Sequence, residues 1–138
     1  MNIEFDGLDD VLKSLEKPIS QERLDKILMK ACLVVETAAR EKAPKDKGDL
    51  ARSITSRVED NAGIVYTPLE YAPYVEYGTG LFAEGGNGRK DVPWAYEDEE
   101  TGELIWTSGQ HPQPYMRPAL DENREEVKRI LREGLLSD

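Results

Sequence analysis

The sequence predicts an α+β fold: a long helix and a C-terminal helix packed on a small antiparallel sheet, with a protruding β-hairpin insert. Three observations carry that reading. Leu24, Ile27, Leu28, Ala31, Val34, Val35, Ala38 and Ala39 form one apolar stripe at helical spacing. Alternating residues on either side of Asp60-Asn61-Ala62-Gly63 read as two strands and their hairpin connection. A second alternation, Val92, Trp94 and Tyr96 followed by Leu104 and Trp106, flanks the turn residues Asp98-Glu99-Glu100-Thr101-Gly102. At 138 residues the chain has enough material for one modest core, so residues 1–138 are read as one domain with 81–113 as its loop and hairpin extension.

Each element has its own local reason. Ile3 and Phe5 alternate with polar neighbours, as in a short edge strand. Leu8, Val11, Leu12 and Leu15 then fall at i, i+3, i+4 and i+7, a small amphipathic helix capped by Asp6 and closed by Pro18. The long helix starts at Ser20 as N-cap, with Glu22 in its positive first turn and Ile19 and Leu24 at the hydrophobic staple positions. It runs to about Lys42, because Pro44 disfavours helix at Ala43; that is a rod of roughly 33 Å. The residues from Ala43 to Leu50 form a turning loop. Those from about Leu50 to Glu59 read as a half-buried strand, and Ile64 to Thr67 as its return.

Tyr71-Ala72-Pro73-Tyr74-Val75-Glu76-Tyr77-Gly78-Thr79-Gly80 is the joint of the chain. Pro73 opposes a long strand and favours a turn or helical fragment, and Gly78 and Gly80 let the backbone leave in an unusual direction. Tyr71, Tyr74, Glu76 and Gly78 are therefore expected to fix a structural corner, with the tyrosine rings packed, their hydroxyls satisfied and Glu76 as an anchor. The glycines at 85, 86 and 88 mark a flexible loop. They are no phosphate cradle, since no strand leads in and the Lys-Ser/Thr ending is missing. A two-stranded ribbon is marginal alone, so the hairpin carrying Trp94 and Trp106 is expected to gain from a cross-strand tryptophan pair and to pack on its own body or on a neighbour. Beyond the extended prolines at 112 and 114, a last helix begins at Pro118. Its apolar face is Leu120, Val127, Ile130, Leu131 and Leu135, with a Glu125–Arg129 pair on the wet side.

Composition excludes several functions. With 18 Lys and Arg against 28 Asp and Glu, the net charge of −10 opposes binding to DNA phosphates or an anionic membrane, so neither sequence-specific nucleic acid nor membrane is expected as a partner. Cys32 is the only cysteine and sits in the helical stripe, as a buried, inert thiol does. No stretch approaches the roughly 20 apolar residues of a membrane span, and the expected location is the cytoplasm. His111 is the only histidine, which rules out sites that need two, and the acids from Glu97 to Glu100 lack calcium-loop spacing and suit a hairpin tip. No catalytic constellation is found, and no catalytic residue, metal ligand or cofactor-binding residue is assigned.

Four pieces in series carry a resemblance: Ala39 to Ala43 before Pro44; Lys47-Gly48-Asp49-Leu50 with Ser53-Ile54; Tyr71-Ala72 with Tyr74-Val75-Glu76 and Gly78-Thr79; and Pro114-Tyr115-Met116-Arg117-Pro118-Ala119-Leu120. In this order, and from about residue 34 onward, the chain resembles the small neck or tail-component proteins of long-tailed bacteriophages and prophages, the head-tail joining or tail-completion group. Lys47 stands where relatives often have threonine, and the tryptophan hairpin is an insert that shorter members lack. The resemblance implies a non-enzymatic virion protein without a cofactor: a ring-forming subunit at the head-tail junction. Its implied partners are copies of itself, the connector or portal-side neck proteins, and tail tube proteins. Trp94, Trp106 and Tyr115 are the candidate subunit interface. The alternatives are a regulatory or inhibitory protein that binds one host partner, and a small hydrolase, which would need a pocket uniting Glu76, His111 and a serine or a metal.

Overall fold

The computed structural model describes residues 1–5, 12–13, 15, 17–45, 48–86 and 88–137. Asp6, Leu8 and Val11 of the predicted first helix, and Lys47, lie outside the described residues. Leu12 and Leu15 pack against the core. The chain divides into two compact units, Met1–Leu69 with Tyr115–Asp138, and Glu70–Pro114.

The first unit is built on a three-stranded antiparallel sheet in the order β1-β3-β2, formed by β1 (Asn2–Phe5), β2 (Thr55–Glu59) and β3 (Ala62–Tyr66). β1 is at the edge, as its alternation predicted. The β2–β3 turn is two residues, Asp60 and Asn61, both at positive φ (50° and 61°), which Asp and Asn tolerate better than most side chains. Gly63 is thereby in β3 and not in the turn. A Cβ there would stand 2.5 Å from the Phe5 ring and 2.8 Å from the Cys32 sulfur, so glycine lets the strand, the ring and the helix close up.

The long helix α1 spans Gln21–Lys42, and the Ser20 side chain caps it by accepting from the Arg23 N–H at 3.2 Å. Leu24, Leu28, Ala31, Cys32, Val35 and Ala39 are buried, while Val34 and Ala38 of the predicted stripe are only half-buried. Glu36 is buried in the same stripe, where its carboxylate accepts from the Ser56 hydroxyl at 3.0 Å and lies 3.7 Å from Arg40. Burial pushes the Cys32 thiol up to about 11, against a hydrogen bond with the Ile64 backbone that acts the other way.

Three expectations for this unit are corrected. The strand predicted from Leu50 is a helix, α2 (Gly48–Ser53), followed by β2 from Thr55. Leu50 and Ile54 are four apart, a spacing that fits both periods. Asp49 in the first turn, paired with Arg52 at 2.5 Å, favours the helical choice. The single last helix is two, α4 (Met116–Asp121) and α5 (Arg124–Leu136), α3 (Ala72–Tyr77) being in the second unit. Asn123 ends the first by donating its side-chain amide to the Ala119 carbonyl at 2.8 Å, a local bond that competes with helix. Arg129 pairs with Glu126 and Glu133, whereas the predicted partner Glu125 pairs with Lys128. α5 packs on α1, close enough that a Cβ at Gly134 would meet Ile27 at 2.8 Å, and α4 packs on α1 and β1.

Candidate functional site

The second unit begins with α3 (Ala72–Tyr77), a short helix with Pro73 in its first turn, where a missing N–H costs nothing. Ala72 and Glu76, one turn apart, are fully buried. Tyr74 and Tyr77, at i and i+3, are 59% and 41% exposed. The backbone leaves α3 through Gly78 at φ 82° and ψ 175°, a conformation essentially restricted to glycine. A Cβ there would stand 2.9 Å from the Gln110 and Phe82 carbonyl oxygens and from Pro112.

Residues 79–81 and 108–110 then run together as a backbone clamp. The Thr79 N–H donates to the Gln110 carbonyl at 2.9 Å, the Gln110 N–H returns to Thr79 at 3.2 Å, and the Leu81 N–H donates to Ser108 at 2.9 Å. Gly80 and Gly109 face each other's backbone so closely that a Cβ on either would collide with the opposite carbonyl, and Gly88 approaches the Gly80 carbonyl in the same way. Of the glycines read from sequence as a flexible loop, Gly88 makes such a close approach, whereas a Cβ at Gly86 would meet nothing within 4 Å. Two 3₁₀ turns, Gly80–Phe82 and Glu84–Gly86, lead toward the ribbon of β4 (Trp94–Glu97) and β5 (Leu104–Thr107).

These elements enclose an open, mostly apolar groove of about 620 Å³, lined among others by Pro73, Tyr74, Tyr77, Gly78, Arg89 and Trp94. The Arg89 guanidinium lies 4.9 Å from the centre of the Trp94 ring and donates to both Asp91 oxygens at 2.8 and 3.1 Å. Its hydrogen bond holds the Asp91 carboxyl below its usual value.

The ribbon's register overturns the expected tryptophan pair. Trp94 is opposite Thr107 and Ala95 is opposite Trp106, so the two indoles are on opposite faces. Trp94, Tyr96, Ile105 and Thr107 form one face and Ala95, Glu97, Leu104 and Trp106 the other. On that second face Leu104 is 70% exposed and Trp106 67%.

The other predicted positions are now placed. Tyr71 stands at the N-cap of α3 with a buried hydroxyl that has no hydrogen-bond partner among the described residues, contrary to the expected satisfied phenol. Tyr74 is not a packed corner residue; its ring is mostly in water. Tyr115 is fully buried with its hydroxyl 3.5 Å from the Met1 sulfur, so it is a packing residue and not a free interface residue. His111 stacks on Phe82 with ring centres 3.9 Å apart. The groove's lining contains neither His111 nor Glu76 nor a serine, the set a hydrolase would need. Among the described residues no cluster of three or more His, Cys, Asp or Glu could hold a metal, and no helix is long and apolar enough to cross a membrane. The groove and the part of Leu104 were missed from sequence. Tyr74 and Tyr77 at i, i+3 ahead of five glycines between 78 and 88 was the available signal.

No curated protein and no solved structure matches the chain. Residues 6–78 match the model of the HK97-gp10-like family, "Bacteriophage HK97-gp10, putative tail-component". The matched span, 73 of 138 residues, covers α1, α2, β2, β3 and α3 but not β1, and ends at Gly78, before the clamp and the ribbon. The chain therefore belongs to the HK97-gp10-like family of bacteriophage tail components, and is a structural tail protein of the virion.

Proposed function

We propose that this tail component is a ring-forming subunit of the head-tail junction, a connector or tail-completion piece that works by packing on its neighbours. Its partners are copies of itself, the portal-side neck proteins and the tail tube proteins. It assembles in the host cytoplasm and then stays at the junction, and this role needs no catalysis and no cofactor. The observation that carries the reading is the apolar outer face of the ribbon, Leu104 and Trp106, exposed at 70% and 67% on a chain of net charge −10. A highly charged protein that keeps a leucine and an indole side by side in water has a surface suited to burial against another subunit. Order within the chain supports the junction: the motifs around Pro44, Gly48, Tyr71 and Pro114 follow one another as in the head-tail joining group.

The test is a mass measurement over a concentration series with wild type and Leu104→Ser/Trp106→Ser. Wild type should rise from monomer to a closed multiple, and the double variant should stay monomeric at concentrations at least tenfold higher. A wild type that is monomeric throughout, and pairs one to one with a host protein, would favour the regulatory alternative.

A further inference from the structure

We propose that the open edge of β2 is a two-fold pairing surface for β2 of a second copy, a contact that joins two sheets into one and sets their α1 helices side by side. It lies in the first unit, apart from the ribbon, and does not rest on the ring-forming reading.

Hydrogen-bond parity decides what the edge offers. β2 ends the sheet, and among the described residues no strand lies beyond it. The Thr67 N–H donates to the Met1 carbonyl at 3.0 Å, so Gly63 and Val65, in step with Thr67, bond to β1, while Ala62, Ile64 and Tyr66 bond to β2. Their partners there are Glu59, Arg57 and Thr55. The N–H and C=O groups of Ser56 and Val58 are therefore directed to the open edge, as a template for another strand.

Charge selects the register in which a second β2 can use that template. With Val58 opposite Val58, Arg57 of each copy stands opposite Glu59 of the other. The next permitted register on either side sets Arg57 against Arg57 or Glu59 against Glu59. Arg57 already lies 3.2 Å from its own Glu59, so pairing exchanges partners between copies and no net charge draws them together. The charges fix the alignment; backbone bonds and the helices supply the contact.

α1 carries the second part of the surface. It packs over β2 and β3, with Glu36 accepting from the Ser56 hydroxyl and Arg40 donating to the Ile54 carbonyl at 3.0 Å. Met29, Leu33, Glu36 and Arg40 are at i, i+4, i+7 and i+11, one side of the helix, and that side is the β2 side. Half-buried Met29 and Leu33, which is 49% exposed, thus flank the open edge. Two-fold antiparallel pairing keeps Ser56 and Val58 of both copies, and hence both α1 helices, on one face of the joined sheet. With strands about 4.8 Å apart, helices lying between β2 and β3 of each copy come roughly 10 Å from one another, the spacing of packed helices. Met29 and Leu33 of one copy then meet their equivalents. An edge whose parity, charges and flanking apolar side chains all match under one two-fold rotation favours this chain itself as the occupant.

The test is sedimentation equilibrium of the full chain carrying Leu104→Ser/Trp106→Ser, so that the ribbon's contact is not read. A five-residue edge makes a weak contact, so the series is carried well above the concentrations at which wild type assembles. This reference chain should form a dimer and no larger species. Arg57→Glu and Glu59→Arg, added singly, each turn both cross-strand pairs into like charges and should weaken the dimer at least about fivefold. Leu33→Ser should weaken it as well. The exchange Arg57→Glu/Glu59→Arg should restore it to within about twofold, and the two single variants mixed should form a heterodimer. Should circular dichroism show that a substitution unfolds the chain, amide exchange of the reference chain decides alone. The Val58 N–H should exchange more slowly as concentration rises, while the Arg57 N–H, already bonded to β3, should not change. A monomeric reference chain, single variants that pair as well as the reference, an exchange variant no better than the singles, or Val58 exchange indifferent to concentration would each overturn the inference. The ring reading would stand in every one of these cases, since it is tested on the intact ribbon.

Discussion

The two units solve the problem of holding a backbone in place by different means. Among the described residues, nineteen of the twenty buried apolar side chains belong to the first unit, with Ala72 the exception, and seven of the nine exposed large apolar ones belong to the second. The first unit buries its side chains in the usual way. The second is held by backbone hydrogen bonds across glycines and leaves Tyr74, Tyr77, Tyr96, Leu104 and Trp106 accessible. A region whose fold does not consume its large apolar side chains keeps them exposed, where other molecules can meet them.

The sharpest way to break the comparison is to cut equally into both units. Leu28→Ala removes a fully buried side chain from the core cluster of Leu24, Ile27 and Leu135 and should cost about 2 to 5 kcal/mol in denaturant melts. A loss near zero would mean that α1 does not anchor the core.

A pH series probes the same core. The Cys32 thiol titrates near 11 when folded and near its ordinary 9.0 when unfolded, so between these values the unfolded chain has released a proton that the folded chain keeps. Stability should be insensitive to this group below pH 9 and fall by roughly 2 to 3 kcal/mol as the pH rises to 11, a fall that Cys32→Ala should lack. An identical fall in Cys32→Ala would mean that other groups cause it.

In the second unit the backbone should matter more than the rings. Gly78→Val forces a β-branched residue to φ 82° with atoms 2.9 Å from its Cβ, and should cost about 1 to 3 kcal/mol. Tyr74→Ala, by contrast, removes a ring that is 59% exposed, and should change stability by no more than about 0.5 kcal/mol while weakening self-association. A Tyr74 loss of about 3 kcal/mol would restore the ring to a core role.

What could be read from the sequence divides along the same line. α1 was legible from Ser20 to Lys42 because cap, staple and period agree, and the Asp60-Asn61 turn because those residues tolerate positive φ. α2 was not, since Leu50 and Ile54 fit both helix and strand spacing. Neither was the break at Asn123, where one side-chain bond to Ala119 decides. The burial of Glu36 depends on Ser56, a partner twenty positions away that no local pattern gives. The faces of Trp94 and Trp106 depend on a parity set by the six residues between β4 and β5, which alternation within each strand cannot reveal. The groove needed Gly80, Gly88 and Gly109 brought against facing backbone, a matter of tertiary approach and not of local pattern.

The central claim is that the first unit carries the fold and the ribbon carries assembly. Thermal unfolding of a chain in which residues 85–108 are replaced by a short glycine bridge tests it most directly. The prediction is a single cooperative transition from a folded monomer whose self-association is weakened. A broad, non-cooperative melt would show that the ribbon belongs to the core and would contradict the account.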